Sequence, residues 1–539
     1  MPLITLLIPT RERAHVLEKC LQTCINQDWS DCEILVSDNA SRDQTRTVIQ
    51  KFSDQLPLNY INPGSRLGMS EHWEFAIAKV RGEYLVIIGD DDGLPTGSIA
   101  TMKRLLQEHP TDAIVWPQYC FCYPTLPDPK ISGTFVHQSG DIVQVRDMTT
   151  ATSLYLGGKI GYTDMPGAYH KLTRTSLIQK SISKGIRGIA PDILIATAVI
   201  PLVDSFLFSR FPLTIPGASP SSNGFATLSQ HGNKQKAATF RQETSVGVAP
   251  PFDRLTIPLE SNWHLMQLEV IVKLLREELI DRNMQVDYLE HLRHCRNEAG
   301  ALPKAQRRVL DEEFWEIYCY LTKEAGLPTL PRRQFAFEIA KTTRTTIQWG
   351  HGASPYVRIG ADYPDIAAAM PLLEKALVES AEKNRLLIET IIPKITNHLR
   401  DHDFFSAIYE LSKIKACFGG DMLHLALSPP SLQNYLTNMF PEPLAIDYSF
   451  SLTLAYYIVF THLDPDVGIA LRLEQFLSAE DPSRFERTKS KLMDFRWIDT
   501  RTVYLNSGPN LYRLKAFGLL WLAPFAIWFK NTLKQARAA

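Results

Sequence analysis

The stretch YLVIIGDDDG at residues 84–93 places three consecutive aspartates directly after an apolar run. A continuous run of Val, Leu and Ile is typical of a strand that is buried on both faces. Such a strand would deliver Asp90, Asp91 and Asp92 into one loop. Adjacent carboxylates repel one another unless a cation lies among them, and clustered hard oxygen ligands suit Mg²⁺ or Mn²⁺ holding a phosphate group. The alternative is a solvated acidic turn, which the flanking glycines would allow.

The residues upstream of the aspartates have the pattern of a parallel α/β sheet. The apolar run LITLLI at residues 3–8 is followed by a helix-like stretch at 14–27 and by a second strand pattern, EILVS, at 33–37. Because the carboxyl ends of parallel strands meet at one edge, the residues that follow these strands are expected to lie together. Open α/β sheets bind their ligands at that edge.

Three segments in this region resemble successive signatures of the family 2 nucleotide-sugar glycosyltransferases, which have the GT-A fold. They are IPT at residues 8–10, VSDNASRDQT at 36–45, and GEY at 82–84 leading into the three aspartates. The resemblance extends over about residues 2–230. It implies a GT-A type nucleotide-sugar-binding domain with a mostly parallel sheet, a UDP- or dTDP-type donor, and Mn²⁺ or Mg²⁺ as cofactor.

The resemblance also assigns roles to residues. The family acid that matches Asp38 hydrogen-bonds the nucleobase, and the family's "DxD" acids hold the metal that bridges the diphosphate. The first of these acids aligns with Gly89, so the metal role is predicted for Asp91 and Asp92, and which aspartate is the main ligand stays open. The predicted donor-binding residues are Pro9, Thr10, Arg13, Asp38, Arg66 and Asp90.

Asp192 is the predicted catalytic residue. Pro191 is suited to the first position of a helix, and Asp192 would then lie in the first helical turn, where it could simply complement the helix dipole. The resemblance instead matches it to the family's catalytic carboxylate, about a hundred residues after the metal acids. An inverting transfer needs a base on the acceptor side and a cation on the leaving diphosphate.

Two further segments are predicted to lie at the site. Residues 167–174 are similar to a family segment near the acceptor sugar, although a strand with polar residues facing water would have the same pattern. The small-residue loop at 219–224 is similar to a family element that folds over the donor. The predicted acceptor residues are Tyr169, His170, Arg174 and Asn223.

The sequence predicts three parts: a GT-A domain at residues 1–235, a polar linker at 236–252, and an α-helical domain at 253–539 whose role stays open. The apolar segment 517–529 has six basic neighbours and no acid after Asp499. We therefore expect residues 511–537 to be either an interfacial membrane anchor or a buried terminal helix. The apolar stretch 450–462 is interpreted as core.

Composition limits the partners and the compartment. A net charge of −1 gives no general attraction for nucleic acid. The chain begins with a strand pattern, which leaves no room for a cleavable signal, and its eight cysteines lack zinc-site spacing. We expect reduced thiols and a cytoplasmic protein, peripheral on the cytoplasmic face of the membrane if its tail is an anchor.

Together these patterns predict a metal-dependent inverting glycosyltransferase. It would transfer a sugar to a hydroxyl of a glycan or lipid-linked glycan in bacterial surface polysaccharide biosynthesis. Two alternatives stay open: a nucleotide-sugar nucleotidyltransferase, although PTRER at residues 9–13 lacks the expected glycine, and a catalytically silent sugar-binding or scaffold protein. The donor sugar, the linkage and the oligomeric state are not determined by these patterns.

Overall fold

A computed structural model describes residues 1–493, apart from 138, 187, 229–231, 245–247, 249, 341–355, 361, 419–424 and 464–466. The predicted terminal segment 511–537 lies outside the described residues. The chain forms two compact units. The described residues up to Glu382 belong to the first unit, and those from Lys383 onward belong to the second.

The first unit contains twelve described strands in two sheets. Their bounds are β1 (Ile4–Thr10), β2 (Cys32–Asp38), β3 (Leu58–Ile61), β4 (Tyr84–Ile87), β5 (Ala113–Val115), β6 (Phe121–Cys122), β7 (Thr134–Val136), β8 (Val143–Asp147), β9 (Lys171–Arg174), β10 (Ser205–Ser209), β11 (Gly217–Ala218) and β12 (Tyr356–Arg358).

The helices of the first unit flank the sheets and continue after them. Their bounds are α1 (Ala14–Cys24), α2 (Thr45–Phe52), α3 (Met69–Ile77), α4 (Ser98–Glu108), α5 (Met148–Leu156), α6 (Thr175–Ser181), α7 (Pro191–Ala198), α8 (Asn223–Leu228), α9 (Lys234–Thr244), α10 (Trp263–Arg276), α11 (Tyr288–Glu298), α12 (Lys304–Glu324), α13 (Arg332–Ile339) and the first part of α14 (Ile366–Arg400).

The larger sheet has the strand order β3-β2-β1-β4-β9-β5-β10-β8. β3, β2, β1 and β4 run parallel, as the sequence predicted, because each returns through a helix. β9 inserts antiparallel between β4 and β5, and β8 is antiparallel to β10. The sheet is therefore mixed, and the predicted class of an α/β domain followed by a mainly helical region is confirmed.

The apolar runs that predicted the central strands form the core beneath the site. The side chains of Ile8, Val36 and Val86 are completely buried, and the apolar face of α1, with Leu17 and Leu21, packs in the same cluster. Burying such side chains is the main favourable term in folding, at roughly 1.5–3 kcal/mol each. This rigid core fixes the ends of β1, β2 and β4.

The smaller sheet has the order β11-β6-β7-β12. Its two central strands, β6 and β7, carry the aromatic side chains of Phe121 and Phe135, which bury in one cluster with Ile366 and Met370 of α14. The sheet brings residues 217–218 beside the aspartate loop.

Residues 236–252 were predicted to be a polar linker, but their first part is helical in the structure. Residues 234–244 form α9, and α10 packs on α7, so residues 253–343 belong to the first compact unit. The apolar face of α10 requires this cover because Leu265, Leu268 and Ile271 are completely buried.

The second unit is helical over its described residues. One helical stretch in that part of the chain, Glu442–Thr461, is long and apolar enough to cross a membrane, but 67% of its most apolar window is buried, and a core helix meets the same criteria. The bounds, after the second part of α14, are α15 (Phe404–Phe418), α16 (Pro429–Thr437), α17 (Glu442–Ile458), α18 (Val467–Glu480) and α19 (Pro482–Met493).

Candidate active site

The ends of three parallel strands create the site. The backbone register pairs Thr10 at the end of β1 with Asp38 at the end of β2, and pairs Leu7 of β1 with Ile87 at the end of β4. The loop with the three aspartates follows Ile87 directly. Thr10, Asp38 and the aspartate loop therefore share one edge of the sheet, as predicted.

Asp90 is completely buried and points towards the end of β1. Thr10 Oγ1 donates a hydrogen bond to Asp90 Oδ2 at 2.6 Å, and Arg13 Nε donates to the same oxygen at 3.0 Å. Burial raises the pKa of Asp90 to about 6, although the Arg13 guanidinium opposes that rise. Two of the predicted donor-binding residues thus hold a third in place.

Asp91 is bound by the loop between β11 and α8. Ser219 Oγ donates a hydrogen bond to Asp91 Oδ2 at 2.7 Å, and the Ser222 hydroxyl donates to the same oxygen. The Lys236 ammonium of α9 is also close enough to Asp91 for electrostatic attraction. Burial lowers the pKa of Lys236 to about 8, and the attraction to Asp91 partly opposes that fall. The acidic loop is therefore bounded by hydroxyl groups and cations.

Asp92 is anchored in the opposite direction, inside the protein. His170 Nε2 lies 2.9 Å from Asp92 Oδ2, and the Gly217 N–H donates to Oδ1 at 2.7 Å. Burial would raise the pKa of Asp92, but His170 and two backbone N–H groups bring it below its ordinary value. Gly217 must be glycine because an added Cβ would lie 1.8 Å from the backbone oxygen of Asp91.

The three neighbouring aspartates therefore have three different sets of partners. Within the described residues, no group of three or more His, Cys, Asp or Glu side chains could hold a metal ion. Any ion at this loop would need ligands from a bound substrate or from water. The metal role predicted for Asp91 and Asp92 stays a prediction.

Asp38 is nearly fully buried at the end of β2. Tyr60 Oη donates a hydrogen bond to Asp38 Oδ2 at 2.8 Å, and the Ser41 N–H donates to Oδ1 at 3.0 Å. Asn62 Nδ2 lies 3.3 Å from Oδ2. These donors orient the carboxylate that the sequence assigned to the nucleobase.

Arg66 lies near the same edge but binds another protein group. Arg66 Nη2 and Arg11 Nη1 each lie 2.8 Å from a different oxygen of Glu243, on α9. Arg66 is still half exposed. The helix α9 therefore reaches the donor side of the site with an acid at one end and Lys236 near the other.

Asp192 lies in the first turn of α7 and is partly exposed. Burial raises its pKa, and a hydrogen bond from the Tyr162 hydroxyl and the nearby Lys171 oppose that rise. Lys171 is fully buried, donates to the Tyr162 backbone oxygen at 2.6 Å, and has a pKa lowered by burial to about 7. A carboxylate with a raised pKa beside a cleft is suited to accept a proton.

Among the predicted acceptor residues, Tyr169 and His170 lie at the aspartate loop. Tyr169 Oη donates to Asp92 Oδ2 at 3.2 Å, and the same hydroxyl is close enough to Asp192 for an electrostatic interaction. Asn223 begins α8 and lies beside Met69. The prediction that Arg174 contacts the acceptor must be corrected. Because β9 is antiparallel to β4, Arg174 pairs with Tyr84 at the end of β4 away from the aspartate loop, and its side chain binds Asp112.

Sequence reasoning missed several residues of the site. A Tyr or Lys in an ordinary strand or turn carries no signal in a single sequence, and these residues reach the site only through the sheet topology. The loop at 219–224 did carry a signal, its small polar residues before a glycine. The missed residues are Tyr60, Tyr162, Lys171, Ser219, Ser222, Lys236 and Glu243.

The fold and this edge define the class of protein as an α/β domain with a cluster of acidic side chains at the carboxyl ends of its parallel strands. Residues 5–163 match the family described as "Glycosyl transferase family 2". These residues match the family that the sequence predicted, and the prediction is confirmed for this part of the chain.

Curated relatives match over part of the chain. The GalNAc(5)-diNAcBac-PP-undecaprenol beta-1,3-glucosyltransferase of Campylobacter jejuni is 31% identical over 110 residues, which are 20% of this chain and 36% of the relative. The abequosyltransferase RfbV of Salmonella typhimurium is 33% identical over 108 residues, 19% of this chain and 32% of the relative. The chain therefore spans about a third of the length of these relatives.

Among solved structures, S. aureus TarS is similar with a TM-score of 0.35 and 14% identity, over 66% of this chain and 60% of TarS.

Proposed function

We propose that the first unit transfers a sugar from a UDP- or dTDP-type nucleotide donor to a hydroxyl group of a glycan, with inversion at the anomeric carbon. The observation that carries this proposal is the position of Tyr169. It contacts Asp92 in the acidic loop and lies within electrostatic range of Asp192. A donor diphosphate at the loop and an acceptor at Asp192 would then meet beside this side chain.

The proposed reaction uses these positions. The acceptor oxygen attacks the anomeric carbon and forms the new C–O bond, while the bond from that carbon to the diphosphate breaks. The leaving diphosphate keeps the electron pair, and Arg13 and Lys236 supply positive charge at the loop where it departs. Asp192 accepts the proton of the acceptor hydroxyl, a role that its raised pKa supports.

The residues of the loop fit a hard divalent cation. Asp91 supplies carboxylate oxygens, and the hydroxyl oxygens of Ser219 and Ser222 lie within hydrogen-bond distance of that carboxylate. Mg²⁺ sites at phosphates commonly use one or two carboxylates, substrate phosphate and water. Asp91 would therefore hold Mg²⁺ or Mn²⁺, whereas both oxygens of Asp92, the second predicted ligand, already accept hydrogen bonds from the protein. When bound, the ion would neutralise the developing charge of the diphosphate.

The acceptor is proposed to be a sugar of a bacterial surface glycan or of its lipid-linked precursor. The support is the naming of the relatives, one of which acts on an undecaprenol-linked glycan. The acceptor class also agrees with the apolar and basic terminal segment at 511–537, which lies outside the described residues.

The test is the substitution Asp192→Asn, which keeps the size of the side chain and removes the proton acceptor. With a panel of nucleotide sugars and glycan acceptors, transfer by the variant should fall by about 10²–10⁴-fold while donor affinity stays close to that of the wild type. Asp204→Asn, at an exposed position outside the site, is the matched control and should transfer normally. Near-normal transfer by Asp192→Asn would remove Asp192 from the mechanism.

The metal is tested separately by calorimetry of UDP binding with Mn²⁺ and with EDTA. Asp91→Ala should lose the Mn²⁺-dependent part of the affinity and retain its fold, since a loop carboxylate contributes little to the core. Equal UDP affinities for wild type and variant in Mn²⁺ would contradict the assignment of Asp91.

A further inference from the structure

We propose that Trp263, at the start of α10, is the stacking platform for the acceptor sugar, and this inference rests on the proposed transferase function. Trp263 lies outside the family match at residues 5–163 and within the region predicted to be a separate helical domain. Its side chain is 37% exposed, whereas most large apolar side chains of this unit are buried.

The position of Trp263 is tied to the proposed base through one residue. Its ring stacks on the ring of Tyr162, with centroids 5.7 Å apart and an interplanar angle of 25°. The hydroxyl of the same Tyr162 hydrogen-bonds Asp192. Tyr162 therefore contacts both the exposed indole of Trp263 and the proposed proton acceptor Asp192.

The backbone at Trp263 is held in place before any ligand binds. The N–H groups of Trp263 and His264 lie 3.1 and 3.3 Å from the two oxygens of Glu298, and Asn262 caps the helix by accepting from the Leu265 N–H at 3.0 Å. A preorganised aromatic side chain loses little conformational freedom when it binds a ligand. The position is therefore suited to recognition.

The chemistry of an exposed indole defines the ligand class. One face of a pyranose ring carries C–H groups, which are apolar and slightly positive, and the face of an aromatic ring is negative. The indole N–H has no hydrogen-bond partner among the residues that the structure describes, so it can donate to a sugar hydroxyl. Sites of this kind combine aromatic walls with a few placed polar groups. The ligand is therefore a pyranose of the acceptor, not the nucleotide.

The experiment is saturation-transfer NMR of the full chain, in the presence of UDP, with a panel of methyl hexopyranosides as probes. Trp263→Phe keeps an aromatic face, and Trp263→Leu keeps apolar packing against Tyr162 without one. We expect transfer to the ring C–H protons of at least one probe for the wild type and for Trp263→Phe. For Trp263→Leu the dissociation constant should rise by about 2- to 12-fold. Phe337→Ala, at a more exposed aromatic position of the same unit, should bind as the wild type does.

Equal binding by the leucine and phenylalanine variants, or no probe bound by the wild type, would overturn the platform. Sugar transfer is measured in parallel. If the wild type binds a probe through Trp263 but transfers nothing, the platform stands and the transferase proposal fails. If it transfers sugar and the leucine variant has the acceptor KM of the wild type, the transferase stands and the platform fails.

Discussion

Tyr169 donates a hydrogen bond to Asp92 across 3.2 Å. This bond connects the segment that precedes β9 to the aspartate loop. The Tyr169 ring also meets the His170 ring edge-on at a centroid distance of 4.4 Å. His170 in turn contacts Asp92 and shares a 2.7 Å hydrogen bond with Thr214. Asp92 is thus the anchor of the loop, and this arrangement predicts that its removal affects stability as well as binding.

The first prediction concerns this anchor. Asp92→Asn should lower the free energy of unfolding by about 1–3 kcal/mol, because buried donors lose a charged acceptor. Tyr169→Phe should cost about 0.5–1.5 kcal/mol, and a double-mutant cycle in urea unfolding should show that the two losses are not additive. Additive losses would mean that the hydrogen bond contributes nothing.

The second prediction concerns the pH dependence of transfer. The Tyr162 hydroxyl lowers the pKa of Asp192, whose overall shift is upward because of burial. Tyr162→Phe removes the hydrogen bond and keeps the ring, so the pKa of Asp192 should rise further. Since Asp192 acts as a base only when ionised, the acidic limb of the pH–rate profile should move to higher pH.

Tyr155→Phe is the control for that profile. Tyr155 is also buried, but its hydroxyl lies 2.8 Å from the hydroxyl of Thr197, whereas the hydroxyl of Tyr162 bonds to a carboxylate. The acidic limb should stay where it is in the wild type. If the acidic limb lies at the same pH in all three proteins, Tyr162 does not influence the pKa of the proton acceptor.

The third prediction concerns the pH dependence of stability at Lys171. Its pKa falls from 10.5 to about 7 on folding, so between these values the unfolded chain binds more protons than the native chain. Stability from this group therefore rises with pH across that window, by at most about 1.4 kcal/mol per pH unit. Lys171→Met should remove this slope, and its stability relative to the wild type should be highest below pH 7.

Urea unfolding at a series of pH values between 6 and 10 measures the difference between the two proteins. Lys180→Met, at an exposed position, is the control and should change the curve very little. If Lys171→Met and the wild type differ by the same amount at every pH, Lys171 titrates normally.

The fourth prediction concerns Glu243. Its carboxylate binds Arg11 and Arg66 at 2.8 Å each, and a donor diphosphate would compete for the same guanidinium groups. Partly exposed pairs are worth about 0.2–1 kcal/mol each, so the loss of both pairs in Glu243→Gln should tighten UDP binding by at most about thirtyfold. Isothermal calorimetry measures this, with Glu108→Gln of α4 as the control. Weaker binding by Glu243→Gln would show that α9 helps to hold the nucleotide.

The sequence alone was sufficient for the edge of the sheet at which the site forms. The apolar runs at residues 3–8, 33–37 and 84–88 are buried on both faces, so their strand character is local and strong. The acids that follow them then had to lie at one edge, and the family match over residues 5–163 agrees. The mainly helical character of the chain after residue 253 was also predicted from the sequence.

The tertiary structure alone decided which partner each site residue has. Asp91 and Asp92 are held by residues 217–222, more than a hundred positions later in the chain, and such pairings leave no local pattern. Arg174 was misplaced because β9 runs antiparallel, and strand direction depends on the connections of the whole sheet. Asp192 acquires its raised pKa from burial beside Tyr162 and Lys171, because desolvation depends on neighbours that only the folded chain brings together.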